Sequence, residues 1–377
     1  MLIGYLIMGH VSRQSRIATL LALSVLLVAC AGASLPHMSA RSSSSATAYS
    51  ARIASIISSW ESAGGSRDRR PPGWEAGPPE GAAVSAAWWG YQPADATVAL
   101  QAAVDSGARV IVVPLMSGPW ILSRTLDLRS GGLELVLEPG VVILAAKGAF
   151  RGGGDCLIQA HGAADFSILG YGASLRMRKS DYAKRPYEQA EWRHAISLRG
   201  AARARIAGLR IESAGGDGIY VGVQRREDVH VPCEDLTLQD LEILDSHRQG
   251  VSVISARRLL IEDSLISGSS GAMPMSGIDF EPNGNDPGFE DCVVRGCRIG
   301  GNSGAGILCV LSNLGADAAP VSILIQDCSI DNLLVAVWLR GLENHVRGTL
   351  TFAGTRFRGL QFLRGSSDFS VIFEGAR

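Results

Sequence analysis

"VVRGCRI" (293–299) and "LIQDCSI" (324–330) share one pattern. An apolar pair is followed by a polar residue, a Gly or Asp, one inward residue, one outward residue, and a final apolar residue. The same pattern occurs in "SILGYGA" (167–173), "RIAGLRI" (205–211), "TLQDLEI" (237–243), "LIEDSLI" (260–266) and "TFAGTRF" (351–357). The Gly/Asp positions are Gly170, Gly208, Asp240, Asp263, Gly296, Asp327 and Gly354, at intervals of 38, 32, 23, 33, 31 and 27 residues. A second repeat is interleaved: "RHAISLRG" (193–200), "GDGIYVG" (216–222), "RQGVSVI" (248–254), "MSGIDFE" (275–281), "GAGILCV" (304–310) and "LVAVWLR" (334–340). Two short strand motifs per period, with few helical stretches between them, predict the stacked coils of a solenoid. Leu209, Leu241, Ser264, Cys297, Cys328 and Thr355 fall at one inward position. Cys297 and Cys328 then lie on adjacent coils about 4.8 Å apart, as a ladder of core thiols.

Across residues 90–377 these motifs resemble the right-handed parallel β-helix of the pectate-lyase and polygalacturonase superfamily. The resemblance implies an all-β solenoid with a short N-terminal capping helix. "ADATVALQAAVDSGARVIVVP" (94–114) suits that cap. Asp95 can cap a helix whose Ala96, Leu100, Ala103 and Val104 share a face, Gly107 ends it, and "VIVVP" reads as a buried strand.

The 377 residues carry a formal net charge of −1 and a pI near 6.7, which gives no electrostatic case for nucleic acid. Hydrophobic content of 46% supports a real core, and 45 Gly with only 6% aromatics suit many tight turns. Arg13 and Arg16 precede the apolar run "IATLLALSVLLVA" (17–29), which is signal-peptide length and too short for a permanent span. "LVAC" (27–30) resembles a lipobox, implying lipidation at Cys30, export to the cell envelope and a membrane anchor. Residues 1–29 are thus expected to be a signal peptide, with Met8 an alternative start. Residues 30–89, rich in Ser, Ala, Gly and Pro, are expected to be a linker in which a short helix near 51–60 is possible. The six later cysteines match no zinc spacing.

Stacking the second repeat brings chemistry together. His194, Asp217, Gln249 and Ser276 form one row across the coils, and Ser197, Tyr220, Ser252 and Asp279 form the next. Asp279 and Glu281 alternate with Ile278 and Phe280, so both carboxylates leave the same face of a strand, about 7 Å apart. Two excursions flank this face: 177–194, carrying Tyr182, Tyr187 and Trp192 as flat partners for sugar rings beside Arg185 and Arg193 for acidic groups, and 223–235. His247, Arg248 and Gln249 complete the candidate substrate-binding set.

Polygalacturonase-type hydrolases carry an Asp before Gly-Ile, matched here by Asp217 in "GGDGIY". The family's paired-Asp motif is replaced by His247, Arg248 and Gln249, and its later Gly-His-Gly and Arg-x-Lys motifs are absent. The expected activity is glycoside hydrolysis by Asp279 and Glu281 with Asp217 assisting. Uronate β-elimination and non-catalytic glycan binding are the alternatives. No cofactor is implied beyond a weak calcium candidate at Asp279, Glu281, Asn283 and Asp286. The expected partners are a polysaccharide or oligosaccharide and a membrane surface.

Overall fold

Short β segments joined by left-handed corner residues stack coil upon coil, each segment pairing in parallel with its counterpart in the next coil. In the computed structural model, which describes residues 41–75, 77–129, 131–284 and 286–375, 26 strands join into one continuous sheet. Its ladders are parallel, running for example from Ala202–Glu212 to Cys233–Gln239 and on to Ala256–Glu262. The result is an all-β, right-handed parallel β-helix. Signal-peptide and lipobox positions, Cys30 included, lie outside the described residues.

The corner column explains why Gly and Asp alternate. Asp240, Asp263 and Asp327 have φ of 52°, 49° and 52°, and Gly208, Gly296 and Gly354 have 73°, 62° and 57°. This is the left-handed region, which only Gly and short polar residues enter cheaply. A Cβ added to Gly296 would lie 2.4 Å from Asp263 Oδ1, and one on Gly354 would lie 2.4 Å from Asp327 Oδ1. The Asp of one coil therefore fills the space above the Gly of the next. Gly170 breaks the pattern. Ala207 pairs with Leu169 but Leu209 pairs with Ala173, so a bulge intervenes and Gly172, at φ 82°, takes the corner.

Inside the coils the inward column is buried as expected, from Leu209 through Cys297 and Cys328 to Thr355. Arg298 pairs with Ser329, which sets Cys297 directly against Cys328, and both are free thiols. The cap helix runs Thr97–Val104 with Leu100, Ala103 and Val104 buried against the first coils. Asp95 Oδ1 accepts from the Thr97 backbone N–H at 3.0 Å, and Asp95 Oδ2 from Ser123 Oγ at 2.6 Å.

The linker reading of 30–89 does not hold for the described part of that segment. Arg41–Ser62 is a 22-residue helix. Its Tyr49, Ile53, Ile57 and Trp60 are buried on the outer face of the sheet against Val112, Val136, Leu169, Tyr171 and Ala207. The Tyr49 hydroxyl lies 2.7 Å from the carbonyl oxygens of both Leu137 and Leu169, and Trp60 Nε1–H donates to Ala83 O at 2.8 Å. Arg67 then forks onto Glu138 at 2.9 and 2.6 Å, and Val84–Ser85 pairs with Ile111 and Val112 as the first strand. Apolar residues at four-, four- and three-residue intervals make one helical face, so a composition dominated by Ser and Ala conceals a packed element.

Candidate active site

The parallel register fixes which side chains meet. Ser197, Tyr220, Ser252, Asp279 and Leu308 are successive partners on five strands, spaced by the ordinary interval of about 4.8 Å. One row over, side chains cap the backbone of the following coil. The Asp217 N–H donates to His194 Nδ1 at 3.1 Å, and the Gln249 N–H donates to Asp217 Oδ1 at 3.1 Å. Gln249 Nε2 then donates to Asp279 Oδ2 at 2.7 Å. His194, Asp217, Gln249 and Asp279 are all buried.

Arg248 is the cation of the group. Its Nη1 is 3.8 Å from Asp217 Oδ2, its Nη2 3.9 Å from Glu281 Oε2, and its Nε 3.8 Å from Glu191 Oε2. These are ionic distances rather than direct hydrogen bonds. Glu281 keeps 29% of its side chain exposed, whereas Asp279 keeps 1% of its surface. Burial pushes the Asp279 carboxyl well above the usual range, and the Glu281 charge adds to that. Arg248 and the Gln249 hydrogen bond oppose the shift, and Asp217 reinforces it. The balance favours the protonated form of Asp279 relative to an ordinary carboxyl.

The cluster also leaves polar atoms open. Asp279 Oδ1, Asp217 Oδ2, His194 Nε2, Gln249 Oε1 and Arg248 Nε are buried without a hydrogen-bond partner. Most buried polar atoms in folded proteins are paired, so this concentration of unpaired ones singles out the face as a candidate functional site.

The remaining candidates divide. His194 stacks on Tyr220 at 4.6 Å and 14°, and the Arg199 guanidinium lies 4.9 Å from the same ring's centroid. Trp192 is 54% exposed and, with His247, Lys179 and Glu191, lines a cleft of about 360 Å³ beside Arg248. Arg193 and Tyr187 do not face a ligand. Arg193 is wholly buried and donates to the carbonyls of Phe150, Arg151 and Glu188 at 2.6 to 2.9 Å. Tyr187 packs edge-on against Tyr182 at 5.0 Å under that guanidinium. The excursion needs a core of its own, and these three side chains supply it.

The calcium candidate does not assemble. The Asp286 side chain is fully buried, 2.7 Å from His230 Nδ1 and 3.2 Å from Arg225 Nη2. Among the described residues no group of three His, Cys, Asp or Glu side chains is arranged to hold a metal ion. Arg225 and His230 belong to the hairpin Gln224–Arg226/Val229–Val231, which this contact straps to the loop after Glu281 as the far wall of the face. Neither this strap nor the role of Glu191 was legible in the sequence. Both are contacts between loops distant in sequence, and no local spacing signals them.

A family model described as the right-handed beta helix region matches residues 190–350. Among solved structures, the chain is similar to the tailspike protein of E. coli bacteriophage HK620, solved in complex with a hexasaccharide, at 14% identity and a TM-score of 0.54. That similarity covers 77% of this chain and 52% of the other. The Dettilon tailspike protein gives 14% identity and a TM-score of 0.50, over 73% of this chain and 50% of that one. The Agl-KA catalytic domain gives 14% and 0.50, over 79% and 54%. The chain spans about half the length of each of these structures. No curated protein matches it. At such identities the similarity establishes the fold alone.

Proposed function

We propose that this β-helix is a carbohydrate-active enzyme that hydrolyses glycosidic bonds of a polysaccharide or oligosaccharide, with Asp279 as general acid and Glu281 as nucleophile or base. The observation that carries the reading is a pair of carboxyls two residues apart in unlike surroundings, one buried and one partly exposed. Burial beside Glu281 raises the Asp279 carboxyl toward the protonated form that a general acid needs, and Glu281 is partly exposed next to the Arg248 guanidinium. Glycoside hydrolysis requires such a pair, one carboxyl to protonate the leaving oxygen and one carboxylate to stabilise or attack the sugar. Asp217, tied by His194 and the Gln249 backbone, positions Arg248 and adds negative potential. The cleft with Trp192 and His247 offers an adjoining sugar subsite, where an exposed indole face suits a pyranose ring. The hexasaccharide bound to a tailspike of the same fold agrees with a glycan ligand.

Export and attachment through a lipid at Cys30 complete the proposal and would place the site outside the cytoplasm, among polymeric glycans.

The test incubates the full chain with plant, algal and host polysaccharides beside the Asp279→Asn/Glu281→Gln double variant. New reducing ends without ultraviolet absorbance, lost in the variant, are the expected result. Absorbance from unsaturated uronates would instead assign a lyase, with Arg248 neutralising the uronate carboxylate. Binding without cleavage across the panel would leave a glycan-binding protein.

A further inference from the structure

A second cleft, of about 440 Å³, opens at the N-terminal end of the solenoid, beside the first strand and remote from the Asp279 strand. Three indoles line it: Trp74, Trp88 and Trp89. None is fully buried, in contrast to Trp60 and Trp120. The sequence alone suggests that Trp88 and Trp89 pack the cap, and part of each does. The rest faces the cleft.

The indoles are held in place. Trp88 Nε1–H donates to Ser66 O at 2.9 Å, and Trp88 meets Trp60 edge-on at 5.1 Å and Trp74 at 5.9 Å. The Arg70 guanidinium lies 5.0 Å over the Trp89 ring. A ligand would find aromatic faces already oriented, so little side-chain freedom is lost on binding. Around them the charged lining is balanced, with Arg70 and Arg109 as donors and Glu75 and Glu80 as acceptors.

We infer that this cleft is a second glycan-binding site, for an uncharged pyranose unit, separate from the carboxylate face. A pyranose presents an apolar C–H face to an indole and a rim of hydroxyls that both donate and accept, which matches rings bordered by both kinds of polar group. Balanced charge gives a uronate or a phosphate no advantage. The lip Pro78–Pro79 adds a rigid edge with no N–H to satisfy. Such a site would keep a long polymer attached to the N-terminal end while another segment lies across the Asp279 face. Binding here needs no chemistry at that face, so either site can fail without the other.

The experiment is native gel electrophoresis of the full chain through gels containing galactomannan, xyloglucan, mixed-linkage β-glucan or starch. At least one is expected to retard the chain. Trp89→Ala and, separately, Arg109→Ala, an exposed position, each weaken that retardation about fivefold or more, the worth of roughly 1 kcal/mol. Trp89→Phe recovers most of it, and Asp279→Asn leaves it unchanged. Melting curves establish that each variant is folded. Retardation by none of the four polymers overturns the inference. So does retardation that survives both Trp89→Ala and Arg109→Ala, or that disappears in Asp279→Asn. Binding of a proline-rich peptide in place of the glycans would reassign the cleft.

Discussion

Two outward faces of the same solenoid meet opposite fates. One carries Val112, Val136, Leu169 and Ala207 and is covered by the helix Arg41–Ser62. The other carries Asp217, Gln249 and Asp279, and only its rims are built up, by the excursion through Trp192 and by the hairpin strapped to Asp286. Backbone pairing is equivalent on both. What differs is whether burial helps. Covering the apolar face removes hydrocarbon from water and stabilises the fold. Burying carboxyls, an amide and an imidazole with open valences costs stability, and a protein tolerates that cost where the groups act on something. The contrast separates scaffold from site without any appeal to relatives.

The largest effect should come from the polar face. Asp279→Asn removes the buried carboxyl whose proton affinity is raised, and Glu281→Gln removes its partly exposed partner. Each is expected to lower glycan cleavage about 10³-fold or more, the scale of losing a positioned proton donor or nucleophile. Rates measured with matched folded protein check this. Retention of a tenth or more of the activity in both variants would break the assignment.

Next in size is the covered face. Trp60→Ala should cost about 3–5 kcal/mol, because a wholly buried indole is replaced by a cavity and the hydrogen bond to Ala83 is lost. Chemical denaturation of the two proteins reads it. Starting the chain near Ser85, after this helix, should be worse, since Val112, Val136 and Leu169 would all be left facing water. A truncated chain as stable as the full one would mean that the helix is a dispensable tether.

How much of this could be read beforehand follows the period of each element. The coils were legible because their pattern repeats: the corner Gly and Asp positions, the inward Cys297 and Cys328, and the row Ser197–Tyr220–Ser252–Asp279 all follow from stacking. Gly170 misled because a bulge adds residues without disturbing the local motif. The helix Arg41–Ser62 occurs once, and only four apolar side chains among Ser and Ala mark its face. Candidate residues inside the repeat were placed by it. Those on the excursions were not, and Arg193 and Tyr187 turned out to be the excursion's own core, since an Arg beside aromatics reads the same whether it meets a ligand or three backbone carbonyls.

A third measurement probes the polar face through Arg248. Its guanidinium opposes the upward shift of Asp279. Arg248→Gln should therefore raise the Asp279 carboxyl further and move the alkaline limb of the pH–rate profile to higher pH, while cleavage slows. An unchanged limb would show that the acid is not Asp279 or that Arg248 does not reach it.

The smallest effect is on stability, and its sign is the informative part. Asp279 is raised in the folded protein relative to the unfolded chain, where an ordinary carboxyl titrates near pH 3.9. Below that pH both states hold the proton and burial of the neutral acid is tolerated. As pH rises from there through the folded value, the unfolded chain releases its proton first, so the contribution of this residue turns against folding. Asp279→Asn keeps an acceptor for Gln249 Nε2 and never ionises. It should therefore match the wild type in melting temperature near pH 4 and exceed it increasingly toward neutral pH, even as its activity is expected to fall. A scaffold residue would behave in the opposite way, losing stability when changed at any pH, as Trp60 should. If Asp279→Asn melts below the wild type across the whole range, the carboxyl belongs with the covered face as a structural group, and the acid must be sought elsewhere in the cluster.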